Sequence, residues 1–322
     1  MKWKHFRRRW FQEPALALIF LTVRAVLVRL PLGGIHAVAR WTGALAWCWP
    51  PVRRMVLANL ALVFPERSTA ERRRLGRTSL GNSFLTPLEL LWFAHHPERL
   101  RPAIDLSAPA TQAMLAEFAG GATGQGCIFF TPHLGSWEFA GQTVALSGLP
   151  MHAVAARVRN AVTDRAVNHA RQAWGMRIIP ARGAVRGLVG AIRAGHAVGL
   201  LVDQNTQPDQ GGVFVPFFGL PVAVTRAFAA LARRLNCPII LGAALRQPGG
   251  GFQLHVETIL RQPATFASDE ALTAELVRVQ EALILRHPEQ YLWFYDRWRL
   301  IPAGCPAADR ARFPYYARVW ER

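Results

Sequence analysis

From about Gly124 onward, short runs of apolar residues alternate with segments whose apolar positions recur every three to four residues. The runs Cys127–Phe130, Met151–Ala155, Arg177–Ile179, Ala197–Val202, Ile239–Leu245 and Phe252–Val256 have the length and composition of strands. Helical periodicity fills the gaps near residues 136–147, 161–174, 183–194 and 222–235. Strands separated by helices at this spacing predict an α/β sheet, mixed but largely parallel, with right-handed crossovers. Only Gln247, Pro248, Gly249, Gly250 and Gly251 separate the last two strands, and such turn residues predict an antiparallel hairpin. A final helix is expected over Asp269–Arg286, ending before His287 and Pro288.

The pattern upstream is different. Ser68-Thr69-Ala70-Glu71 is a capping box that opens a helix running to about Phe93. Before it lie two apolar stretches, Pro14–Val23 and Ile35–Val52. Arg24 and Arg29 interrupt the first before it reaches the ~20 apolar residues of a comfortable span. Arg40 and the breaker pair Pro50-Pro51 interrupt the second. Three arrangements stay open: the first segment spans with its arginines snorkelling, both segments lie in the interface, or they form a buried helix of a globular core. Five Lys/Arg among the first ten residues put the N-terminus in the cytoplasm if the segment spans. The expected fold class is therefore α/β: a single globular domain over residues 53–322 whose sheet is flanked by helices. A basic N-terminus with membrane-spanning or interfacial helices precedes it over residues 1–52.

Charge and composition narrow the function. The 322 residues carry 38 Lys+Arg against 20 Asp+Glu, a net +18, and Lys2 and Lys4 are the only lysines, leaving 36 arginines. An apolar content of 51% excludes a largely disordered chain. The basic excess points to an anionic partner. Eleven tryptophans in such a chain favour a membrane surface, and the dispersed arginines carry no nucleic-acid-binding motif. Cys48, Cys127, Cys237 and Cys305 are far apart, which argues for free thiols in a reducing compartment over a disulfide framework or a zinc site.

The first predicted strand runs into Thr131-Pro132-His133-Leu134-Gly135-Ser136-Trp137-Glu138. In an open α/β sheet, functional groups collect beyond the carboxyl ends of strands, which is where His133 falls. With Ser136 as the N-cap, Glu138 lies in the first helical turn, and Gly135 lets the chain fold back so that the carboxylate meets the imidazole. An imidazole held by a carboxylate is a general base. Ser136 lacks the G-x-S-x-G context of a nucleophile elbow.

This H-x4-E pair sits among collinear blocks: Asn59-Leu60-Ala61-Leu62-Val63-Phe64-Pro65, Arg157-Val158-Arg159-Asn160 with Asp164, Val202-Asp203-Gln204, Val213–Gly219 followed by Thr225, and Pro288–Trp293. Together they resemble the late acyltransferases of lipid A biosynthesis, within the lysophospholipid acyltransferase superfamily, over nearly the whole chain. The resemblance implies an O-acyltransferase at the cytoplasmic face of a bacterial inner membrane. It moves a fatty acyl chain from an acyl carrier protein thioester to a hydroxyl of a lipid A precursor. His133 would be the base and Glu138 its orienter, with Arg157, Asn160, Asp203 and Gln204 as substrate-binding candidates and no metal or cofactor. Arg157 suits an acceptor phosphate, and Asp203 either orders the site or binds polar substrate groups, although Asp203–Thr206 is also turn chemistry. Phe214–Gly219 is a candidate acyl-chain wall or ordinary core, and Trp293–Arg299 either an interfacial segment or packing. An acidic carrier protein would be steered by the +18 charge.

Two other readings remain. The same chemistry could serve another glycolipid or a lysophospholipid, such as a phosphatidylinositol mannoside, from acyl-coenzyme A. Alternatively the chain is a basic protein that binds anionic membranes without catalysis. A metal hydrolase lacks further ligands at a recognisable spacing.

Overall fold

The computed structural model describes residues 13–118 and 124–321. A seven-stranded sheet is built from β1 (Ile104–Asp105), β2 (Cys127–Thr131), β3 (Met151–Ala155), β4 (Arg177–Pro180), β5 (Ala197–Leu201), β8 (Ile239–Arg246) and β9 (Phe252–Leu260). Its order is β1-β9-β8-β2-β5-β3-β4. The strands from β8 to β4 are parallel, and β9 pairs antiparallel with β8, so the hairpin expected from Gln247–Gly251 forms. Between β5 and β8 the chain adds a small hairpin, β6 (Gly212–Phe217) and β7 (Leu220–Thr225), where the sequence pattern gave no strand and predicted a helix beginning at 222.

The helices are α1 (Glu13–Leu27), α2 (Leu32–Cys48), α3 (Pro50–Val63), α4 (Thr69–His95), α5 (Pro109–Phe118), α6 (Trp137–Leu146), α7 (Ala161–Gln172), α8 (Ala184–Arg193), α9 (Ala227–Leu235), α10 (Asp269–Arg286) and α11 (Ala307–Arg310). Ser68 caps α4 with the full reciprocal box to Glu71. The Pro50-Pro51 pair separates α2 from α3, because a proline is tolerated in a first turn but not inside a helix.

Successive residues of the central strands alternate between two cores. Ile128 and Phe130 of β2 join one core, with Val198, Leu200 and the inner faces of α8, α9 and α10. Cys127 and Phe129 join the other, with Phe139 and Val144 of α6 and Ala170 of α7. The connection from β2 to β3 crosses β5, and the connection from β5 to β8 crosses β2 in the opposite sense. Right-handed crossovers running in opposite directions put their helices on opposite faces, so β2 and β5 form the switch point of the sheet.

No helix among the described residues is long and apolar enough to cross a membrane. The spanning arrangement thus gains no support within residues 13–118 and 124–321, and the basic decapeptide lies outside them. Helix α2 packs on α4 and contributes Ile35, Ala39 and Trp47 to the cores. Helix α1 is different: Leu16, Leu18, Ile19, Leu21, Val23 and Val26 are all exposed.

A long irregular segment after α10 is held down by side chains from the N-terminal helices. Asn59 of α3 donates to the carbonyls of Trp293 and Tyr295, both at 2.8 Å, and its Oδ1 accepts from the Tyr316 hydroxyl. Ser79 and Asn82 of α4 donate to the carbonyls of Tyr291 and Glu289. Irregular buried backbone has to be satisfied in this way. Asn59→Ala strips partners from two carbonyls and a hydroxyl, and should destabilise the fold by about 2 kcal/mol or more. Urea denaturation followed by tryptophan fluorescence checks this, and a change below about 0.5 kcal/mol would show that the ties carry no stability.

Candidate active site

The register of the two switch-point strands builds the centre. Thr131 at the end of β2 lies opposite Leu201 at the end of β5. Two residues further along each chain stand His133 and Asp203, at equal height on strands about 4.8 Å apart. His133 Nδ1 lies 2.6 Å from Asp203 Oδ1, and the His133 backbone N–H donates to Asp203 Oδ2 at 2.8 Å. Both residues are buried. The Nδ1 hydrogen bond assigns the proton to that nitrogen and leaves Nε2 with a lone pair. Nε2 is 3.4 Å from the amide nitrogen of Gln204, which is exposed at the sheet edge.

Burial opposes protonation of His133, but the charge and hydrogen bond of Asp203 outweigh it and raise the imidazole pKa above its ordinary value. Burial likewise works to raise Asp203, yet His133 and the nearby Arg297 hold its carboxyl below the usual range. The dyad is thus an ionised carboxylate behind a basic imidazole.

Gly135 makes the loop possible. Its φ is +62°, and a Cβ there would lie 2.2 Å from the Ala244 carbonyl oxygen, so only glycine fits. Ser136 follows at the N-cap of α6, where its expected capping bond is absent; its hydroxyl faces Glu89 at 3.5 Å instead. The Trp137 ring then lies against the His133 imidazole, with centroids 5.1 Å apart.

Glu138 does not take the place expected for it. Its carboxylate forms a bidentate pair with Arg171 of α7, at 2.8 and 2.6 Å, and Asp203 makes the imidazole contact. The physical reason is the short turn at Gly135, which starts α6 at Trp137 and puts Glu138 beside α7. Its negative charge still helps to raise His133.

The other candidates divide. Arg157 is exposed on the loop after β3. Asn160 is the N-cap of α7: its Oδ1 accepts from Val162 and Thr163, and its Nδ2 donates to the Glu13 carbonyl. Asp164 accepts from the Val158 backbone. That stretch ties a loop together and does not reach the dyad. In the aromatic run at 214–219, Val215 and Phe217 are core, with Phe217 fully buried against Trp298, while Phe214 and Phe218 are half-buried. In the late segment Trp293 and Trp298 are buried too, while Phe294 is exposed and Tyr295, Asp296 and Arg299 are half-buried.

Two apolar spaces meet at Trp137 and Glu138. One is a slot of about 70 Å³ running between the sheet and α6 to Met151 and Met176. It exists because Gly141 and Gly199 carry no side chain; a Cβ on Gly199 would lie 2.2 Å from the Met151 methyl group. The other is a groove of about 290 Å³ lined by Phe84, Leu292 and Phe294. Among the described residues no group of three or more His, Cys, Asp and Glu side chains could hold a metal ion.

The profile of the family described as bacterial lipid A biosynthesis acyltransferase matches residues 5–300. The chain belongs to this family. Lipid A biosynthesis palmitoleoyltransferase of Escherichia coli K12 is 28% identical over 303 residues, covering 92% of this chain and 94% of that protein. The lauroyltransferase of the same organism is 26% identical over 319 residues (93% and 95%), and its myristoyltransferase 25% over 249 residues (75% and 73%).

In this member of the lipid A acyltransferase family most of the collinear blocks converge on the His133 loop. The Asn59 block holds the late segment, and that segment holds the loop: Leu292 N–H donates to the His133 carbonyl, Gly135 N–H donates to the Gln290 carbonyl, and Leu134 bridges Tyr291. Arg246, at the end of β8, donates to the Gly135 carbonyl at 3.0 Å and pairs with buried Glu89 at 2.6 Å. Behind Asp203 lie buried Tyr291 and Arg297; burial raises the Tyr291 hydroxyl pKa well above normal and lowers that of Arg297. Sequence reasoning named none of Trp137, Arg171, Glu89, Arg246, Tyr291 and Arg297 as site residues. The signal for Arg297 was an arginine inside an aromatic run, too apolar a neighbourhood for a solvated charge.

A base must be neutral to accept a proton, so turnover should rise with pH through the raised His133 pKa. In Asp203→Asn the imidazolium loses its partner: the acid limb of kcat/KM moves to lower pH and the plateau falls about 10²-fold or more. Glu138→Gln should move the limb the same way by a smaller amount. An acid limb that stays put in Asp203→Asn, measured from pH 5 to 9, would show that another group is the base.

Proposed function

We propose that this enzyme transfers a fatty acyl chain from an acyl carrier protein thioester to a hydroxyl of a lipid A precursor, with His133 as general base. The observation that carries the reading is the 2.6 Å pair of His133 and Asp203 at the switch point of a lipid A acyltransferase family fold. The acceptor hydroxyl takes the place of the Gln204 amide at Nε2 and gives its proton to the imidazole. The oxygen attacks the thioester carbonyl, the carbon–sulfur bond breaks, and the imidazolium returns the proton to the departing thiolate. Asp203 stabilises the imidazolium throughout, and Glu138, paired with Arg171, adds a second negative charge nearby. Arg157 and Gln204, exposed beside this edge, are free to meet polar parts of the acceptor.

The slot beyond Trp137 suits the donor's chain. Its 70 Å³ hold roughly five water-sized spheres, room for a stretch of unbranched chain. The groove along Phe84 and Phe294 suits a chain already on the acceptor. The net +18 charge favours an acidic carrier protein as donor. The apolar outer face of α1, the exposed Trp41 and Leu45 of α2 and the exposed Trp49 that caps it suit an interfacial seat on the cytoplasmic side of a bacterial inner membrane. The chemistry needs neither metal nor cofactor.

Purified protein in detergent micelles, given acyl carrier protein thioesters and a tetra- or penta-acylated precursor, should acylate it. His133→Ala should lose about 10²–10⁴-fold. Transfer that survives His133→Ala, or transfer from acyl-coenzyme A to other glycolipids alone, would overturn the base or the acceptor respectively. Gly141→Leu fills the slot beside Met176 and should shift the preferred donor to shorter chains; mass spectrometry of products from a mixed donor pool reads this, and an unchanged chain distribution would exclude the slot as the donor site.

A further inference from the structure

A second large space on this edge of the sheet is separate from the dyad. A cavity of about 620 Å³ lies between α2, the middle of α4 and the turn joining β8 to β9. Helices α2 and α4 touch where Gly43 faces Gly81, so closely that a Cβ on Gly43 would lie 2.8 Å from the Gly81 nitrogen. Beside that contact the small residues Ala39 and Ala44 leave the space open, and Trp47 and Leu85 give it an apolar floor. Arg40 and Arg77 stand on its rim and Arg246 on its inner wall.

Its charge is unbalanced. Among the described residues Glu89 is the one carboxylate in the lining, and both its oxygens are taken by Arg246, at 3.1–3.2 Å from Nε and 2.6 Å from Nη2. His36 lies 3.6 Å from the same carboxylate. Among the described residues, Arg40 and Arg77 have no acidic partner, and Arg77 only lies over the Trp47 ring. Fork-shaped cations above an apolar floor match a phosphate attached to hydrocarbon.

The sequence of α2 says where such a ligand comes from. Arg40, Ala44 and Cys48 line the cavity, and each is followed by an exposed residue one helical step, about 100°, around the axis. Those residues are Trp41, Leu45 and Trp49, at 77%, 75% and 63% exposure. An apolar stripe that belongs against lipid therefore borders the basic rim directly.

We propose that this cavity binds one anionic phospholipid of the bilayer, its phosphate between Arg40 and Arg77 and an acyl chain on the Trp47–Leu85 floor. The site goes beyond the acyl-transfer reading and does not depend on it, since none of the three parts touches His133 or Asp203. It adjoins the catalytic loop through Arg246, which binds the Gly135 carbonyl, and through Glu89, which faces the Ser136 hydroxyl.

Native mass spectrometry of the full chain released from detergent, after addition of phosphatidylglycerol, phosphatidylcholine or inorganic phosphate, tests it. Wild type should retain one phosphatidylglycerol, and neither phosphatidylcholine nor phosphate. The double variant Arg40→Gln, Arg77→Gln should weaken retention by roughly tenfold or more. Ala44→Trp, which fills the cavity without changing charge, should do the same. Arg193→Gln with Arg234→Gln removes two exposed charges at a distant groove and should retain the lipid as wild type does. Equal loss in both arginine pairs would reduce the effect to general surface charge, and full retention by Ala44→Trp, or none by wild type, would overturn the site. Acyl transfer, assayed in parallel on the same samples, reports separately on the dyad.

Discussion

The pairing register of β2 and β5 is the constraint on which the site depends. Thr131 opposite Leu201 makes the two chains leave the sheet level with one another, so that a histidine and an aspartate each two residues beyond meet without any further device. A slip by one residue would turn every side chain of β5 to the other face and move Val198 and Leu200 out of their core. The hydrophobic alternation that separates the two cores therefore also fixes the geometry of the dyad. Packing and chemistry are selected by the same residues.

That register also decides which carboxylate serves the imidazole. Spacing along the chain suggested Glu138, because four intervening residues and a glycine make a return possible. Spacing across the sheet decided for Asp203. Gly135 is indeed a sharp turn, but its close approach to the Ala244 carbonyl directs α6 along the sheet and sends Glu138 to Arg171. A pattern along the chain can state that two residues are near. It cannot state which of several near carboxylates holds a ring nitrogen, since that depends on strand order.

Elsewhere legibility followed the strength of local signals. The six principal strands, the capping box at Ser68 and the helix Asp269–Arg286 were readable because alternation, caps and prolines act within a few residues. The β6–β7 hairpin was hidden by a run, Gly212–Thr225, too aromatic and proline-rich to show alternation. The family blocks were visible as words, but their work was not: Asn59 satisfies carbonyls more than 230 positions away, and Asn160 caps a helix where a substrate contact was expected. Buried polar residues of this kind look identical in sequence to functional ones, because both are polar side chains in apolar surroundings.

The buried charges around the dyad set the strength of the base. Water removed from His133 disfavours its protonated form, so a bare buried imidazole would be a poor base. Asp203 reverses that, Glu138 assists from the side, and Arg297, buried behind Asp203, opposes. Arg297 is itself expensive to bury, and its Nε and Nη2 have no hydrogen-bond partner among the described residues. Its attraction to Asp203 offsets part of that burden and keeps the carboxylate ionised, which is the state that can accept from Nδ1. The imidazole's proton affinity is thus a balance of two anions against one cation and the loss of water. The reaction proposed for this site asks for such a balance, because the imidazole would take a hydroxyl proton and then release it to a thiolate, which a base fixed at either extreme could not do.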